Sequence, residues 1–133
     1  MITISEDAIS EELQELYLQN KEWMSQVLFL EDEGRFFQKL FSQRLFKIAR
    51  ECSAETVDLI RDSLESLERR TMALKSLVLQ HQCLLENILS GGQVIGVGLI
   101  EEHATITMKI QELFYAERLL KSGLFELVEG LKL

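Results

Sequence analysis

The chain has no proline, only two cysteines and two histidines, and 14 Lys and Arg residues against 22 Asp and Glu. Each scarcity excludes something. Without proline, no position removes a backbone donor or clashes with the preceding turn, so long helices run without an obligatory kink. The net charge of −8 opposes phosphate backbones and anionic lipid surfaces, which argues against nucleic acid and membrane as partners. The short basic groups, Arg69-Arg70 and Arg44 with Lys47 and Arg50, sit near acids. No uninterrupted apolar run approaches the roughly 18 residues of a membrane span. The segment Met1 to Glu15 is acidic, with spaced apolar residues, where a signal peptide would be basic and continuous. These features predict a cytoplasmic protein. Cys52 and Cys83 fit that setting. On one helix they would stand roughly 45 Å apart, far beyond the about 7 Å limit for a disulfide. Free thiols acting as small apolar filler are expected.

What the chain does have is 47% apolar residues in three runs of 4-3 spacing. The first is Ile9, Leu13, Leu16, Asn20, Trp23, Val27, Leu30, Gly34, Phe37, Phe41, Arg44 and Ile48. The second is Val57, Ile60, Leu64, Leu67, Thr71, Leu74, Val78, His81, Leu85 and Ile88. The third is Leu99, His103, Ile106, Ile110, Leu113, Glu117, Leu120, Leu124, Leu127 and Leu131. Steps of three and four hold side chains on one stripe of an α-helix. The sequence therefore predicts one all-α domain over 1–133, an antiparallel up-down-up bundle of three long helices with coiled-coil-like packing. The helices are expected at about 5–51, 54–90 and 99–131. Thr3 with Glu6 has capping-box spacing, and Ser5 is an alternative cap. Ser53 is placed to cap the second helix, and Ser90-Gly91-Gly92 to end it. A break at Glu33-Gly34 is the alternative for the first helix, because glycine costs about 1 kcal/mol in a helix interior.

The connection Gly91 to Gly98 carries four glycines with Val94, Ile95 and Val97. It lacks the preceding strand and the Lys-Ser/Thr of a phosphate-binding loop. It reads as a turn whose Val94, Ile95 and Val97 cover the end of the core, or whose tip touches a partner.

Reflecting the helices about their short connections sets residue 20 opposite about 85, and 85 opposite about 104, within roughly one helical turn. Asn20, His81, Glu86 and His103 then gather near one end, with Tyr17 close by. Gly34, Thr71 and Glu117 gather near the middle. The end layer reads as a hydrogen-bonded layer that fixes register, as a buried Asn does in coiled coils. Its alternative is a transition-metal site using His81, Glu86 and His103. No Glu-x-x-His pair is present, so the di-iron pattern is absent. Glu117 is a candidate acid, but an ion pair with Arg35 or Arg70 is its simpler reading. Glu31-Asp32-Glu33 reads as a solvated face.

Aromatic residues concentrate in the first helix. Phe29, Phe36 and Leu40 lie beside its main stripe and widen the apolar face beyond what two antiparallel neighbours cover. A helix over 5–51 is about 70 Å long, against about 50–55 Å for the others. A second copy along this face would cover the surplus.

Glu15-Leu16-Tyr17, Lys21-Glu22-Trp23 and Phe29-Leu30-Glu31-Asp32-Glu33 resemble the opening helix of an uncharacterised family of small bacterial three-helix bundle proteins. Leu79-Gln80-His81 and Glu102-His103 resemble patches in its later helices. Members of that family often carry histidines where this chain has Tyr17 and Asn20, which implies a histidine cluster and a metal. This chain departs from the pattern at both positions. The expectation is a non-enzymatic bundle without cofactor that acts by protein association, as a homo-oligomer, homodimer or with another protein. The alternative is a metal-binding bundle.

Overall fold

The computed structural model describes residues 6–91 and 97–130, with side-chain surroundings from 11 to 90 and from 98 to 129. It contains three α-helices: α1 Glu6–Glu51, α2 Ala54–Gly91 and α3 Val97–Gly130. There is no strand among the described residues. Each helix packs on both others. The predicted caps at Thr3 and Ser5, and the contacts expected of Val94, Ile95 and Val97, lie outside the described residues and side chains. α3 begins two residues before the expected Leu99.

The reversal between α1 and α2 is tight. The Cys52 amide still donates to the Ile48 carbonyl at 2.8 Å, and the Val57 amide already donates to that of Ser53 at 3.1 Å. Ser53 is the cap: its Oγ accepts the Thr56 amide at 3.2 Å. Arg50 in the last turn of α1 and Glu55 in the first turn of α2 complement the two helix dipoles.

The three stripes face inward and form three apolar clusters. One holds Leu13, Leu85, Ile88 and Leu99. The central one is built around Trp23, Val27, Leu30, Val78 and Ile106. The third holds Phe37, Phe41, Ile48, Val57, Leu64 and Leu124. Buried polar residues fall between them: Asn20, His81 and His103 in one layer, Thr71 and Glu117 in the other.

Two expectations need correction. Arg44 is exposed, because the seam steps from Phe41 to Leu45, which packs on the third cluster, and then to Ile48. Cys83 is exposed, while Cys52 is half-buried and packs against that third cluster. Cys83 sits two positions from each of the buried His81 and Leu85, about 200° around the helix from either. It fills no core space. As expected, α1 is continuous through Gly34, and the alternative break there does not occur. A Cβ placed on Gly34 would meet nothing within 4 Å, so the glycine is not required by close packing.

Gly34→Ala is therefore expected to stabilise the fold by up to about 1 kcal/mol through helix propensity. Urea unfolding followed by circular dichroism reads this out. A destabilised variant would mean that the space beside Gly34 is not open in the folded protein.

Candidate functional site

His81 and His103 project inward from α2 and α3 and meet: His81 Nε2 lies 3.2 Å from His103 Nδ1. The pair continues in both directions. His81 Nδ1 lies 3.2 Å from Glu102 Oε1, and His103 Nε2 lies 2.7 Å from Gln19 Oε1. Trp23 packs on both rings, at 4.2 Å from the His103 centroid and 6.2 Å from that of His81. The result is a hydrogen-bonded line across the bundle, with half-exposed ends and a buried middle. Burial, with a smaller contribution from facing His81, holds the His103 pKa below its ordinary value, so His103 favours the neutral ring.

Donor counting limits the protonation states. A carboxylate and an amide oxygen at the two ends both accept. His103 then donates from Nε2 and, when neutral, accepts at Nδ1. His81 then donates from both nitrogens, to His103 and to Glu102. If Gln19 turns its NH₂ toward His103, the line runs the other way and both rings are neutral. The line thus carries one extra proton in one arrangement and none in the other, and the orientation of Gln19 distinguishes them.

Asn20 is fully buried. Its Nδ2 donates to the Val78 carbonyl at 3.3 Å, three residues before His81, while its Oδ1 has no partner. Glu86 does not join the histidines. It accepts from Tyr17 at 3.2 Å and from Gln82 at 3.2 Å. The reason is angular. Glu86 follows the buried Leu85, so it points about 100° around the helix. The α2–α3 register is also displaced by about one turn from simple reflection, which brings Glu102 to His81 instead. The sequence reading missed Glu102 and Gln19. Each immediately flanks a stripe residue, His103 or Asn20, and such flanking positions were the available signal. Among the described residues no group of three His, Cys, Asp or Glu is placed to hold a metal ion.

The middle layer is less completely paired. Glu117 is only 3% exposed, and its Oε1 has no partner. The expected ion pair with Arg35 or Arg70 does not form. Arg35 instead bridges Glu31 at 2.8 Å and Asp32 at 3.1 Å, and Arg70 is exposed. The group facing Glu117 from α1 is another carboxylate, Glu33. Burial, and then Glu33, push the Glu117 pKa up to about 7, and Lys121 and Arg118 oppose that only partly. The acidic cluster is correspondingly not a uniform solvated face. Glu31 pairs with Lys75 at 3.0 Å, which holds its pKa down. Glu33 pairs with Lys121 at 3.3 Å. Asp32 alone of the three is exposed. Thr71 donates to the Leu67 carbonyl of its own helix at 2.7 Å, and so has no proton left to donate to Glu117.

Phe29 and Phe36 are each 54% exposed and Leu18 is 65% exposed, all on the outer face of α1. Leu40 is half-buried against the third core cluster. A second apolar surface lies between α2 and α3, a groove with Leu59, Ser63, Ser66, Ala116, Leu119 and Gly123 on its walls. No helix is long and apolar enough to cross a membrane among the described residues.

The raised Glu117 pKa fixes a sign. Between the ordinary value of 4.5 and about 7, the folded state holds more protons than the unfolded state. Stability contributed by protonated Glu117 is therefore present at low pH and lost as pH rises through that window. Relative to Glu117→Gln, the wild type should lose on the order of 1–3 kcal/mol between pH 4.5 and 8. Urea unfolding of both proteins at the two pH values measures the difference. Equal losses would mean that Glu117 is ionised at neutral pH.

Comparison of the chain with protein-family models, with curated proteins and with solved structures finds no match.

Proposed function

We propose that this protein is a non-enzymatic helical bundle that acts through association, with the outer face of α1 as its contact surface and a second copy of the chain as its partner. The observation that supports this reading is the exposure of Phe29 and Phe36, seven residues apart on one side of α1. Exposed phenylalanines aligned on a single helix face mark association sites more often than scattered single residues do. Leu40, one turn beyond Phe36, extends the surface toward the core cluster on which it packs.

A Phe29→Glu, Phe36→Glu double variant should remain helical and shift to monomer, as read by sedimentation velocity or light scattering. Wild type that stays monomeric at high concentration would overturn this reading.

The second reading is a metal-binding bundle. It is favoured by one distance: 3.2 Å between His81 Nε2 and His103 Nδ1 is close to the separation of two nitrogens bound at about 2.0–2.1 Å to one tetrahedral ion. The unpartnered Oδ1 of Asn20 belongs to the same layer. Elemental analysis of the dialysed protein separates the two readings. A stoichiometric transition metal that disappears in His81→Leu selects the metal. Under the association reading, His81→Leu changes no metal content and costs about 1–3 kcal/mol, because its polar partners are left unpaired.

A further inference from the structure

Charge along α1 is segregated. From residue 11 to 33 there are seven acids and one base, and from 35 to 50 there are five bases and no acid. The sign changes at Gly34, between Phe29 and Phe36. The outer face follows its own 4-3 spacing, through Glu15, Leu18, Glu22, Phe29, Phe36 and Phe46, all exposed, and continues to Arg50, with the exposed Lys47 beside it.

We propose that two copies pack antiparallel along α1, about a two-fold axis passing between Asp32 and Glu33. This rests on the association reading above and specifies its geometry. Rotation about that axis places Phe29 of each protomer opposite Phe36 of the other. The same rotation sets Glu15 opposite Arg50, and lays Leu18 along the aliphatic stem of Lys47. Among the described residues, Glu15, Glu22, Lys47 and Arg50 make no ion pair within their own protomer. They are therefore available to pair across an interface. The acids nearest the axis are already countered: Arg35 bridges Glu31 and Asp32, and Lys121 holds Glu33. A parallel arrangement would set acid against acid and base against base along the whole contact. Exposed ion pairs add little affinity individually, so burial of the phenylalanines supplies the attraction and the charges select the orientation. The contact uses the same patch on both copies and closes at two. Docking of α1 into the α2–α3 groove would join unlike surfaces and would not close by itself.

The test uses the full chain with Cys52→Ala and Cys83→Ser, and one spin label at Ser25→Cys or, separately, at Gln43→Cys. In the antiparallel dimer the labels are separated along the helix axis by about 22 Å at position 25 and about 32 Å at position 43. The separation thus grows with distance from the two-fold axis. Equal, short distances at both positions would mean a parallel dimer and overturn the proposal. A dimer that persists in Phe29→Glu, Phe36→Glu would place the contact on another face and overturn it too. A monomeric mass with no intermolecular distance would sink the association reading itself, which keeps the two failures distinct. Arg50→Glu should weaken the dimer about tenfold at low ionic strength, where screening is weakest. Adding Glu15→Arg should restore it to within about twofold. Failure of the second change to restore the dimer would overturn the pairing of residues 15 and 50.

Discussion

Each helix of a three-helix bundle has only two neighbours, and that limits how much of its surface can be hidden. One stripe on each helix can turn inward, and whatever else is apolar stays out. All three helices exceed the limit: Leu59 and Met72 of α2 and Met108, Tyr115 and Leu119 of α3 stay exposed. α1 differs in exposing phenylalanines, because Phe29, Phe36 and Leu18 lie outside the sector that α2 and α3 cover. The same limit decides the fate of the charges. Glu31 and Glu33 sit at the edges of that sector and are captured by Lys75 and Lys121. Asp32, between them in sequence, points away and meets only Arg35 of its own helix.

The buried polar layers divide the core into three apolar segments, and the two layers are satisfied to different degrees. At the end of the bundle, two imidazoles offer four ring nitrogens that can donate or accept, so the line from Glu102 to Gln19 closes on itself. At the middle, Glu117 brings an acceptor to a place where the nearest polar group is another acceptor. Holding a proton removes one of the two charges, which is why the carboxyl favours its neutral form. A polar layer can thus specify register either through a connected line of hydrogen bonds, as the histidines make beside the half-paired Asn20, or by penalising displacement, as in the second layer.

Surface and core are connected through α1. Its inward stripe leaves the flanking phenylalanines outside, and its charge reversal falls at Gly34, in the second half of the helix beside the polar middle layer. An association surface centred there would lie alongside the layer least satisfied within one chain.

Much of this was legible in the sequence. The 4-3 spacing located all three helices, and nearly every stripe residue that is described is buried or half-buried. Residue 19 meets 103, and 33 meets 121, within a turn of the reflected register. The histidine pair followed from the same arithmetic. Other features could not be read that way. Glu102 rather than Glu86 meets His81, Arg44 yields its place to Leu45, and Glu117 faces Glu33 instead of an arginine. The physical reason is one of resolution. Periodicity fixes which side of a helix faces inward, because apolar burial sums over many residues and tolerates small errors. A hydrogen bond or ion pair is decided by about 1 Å and by one turn of register. That precision comes only from packing three helices together, so the sequence determined the bundle and its seams, and the tertiary structure decided which polar partners meet inside it.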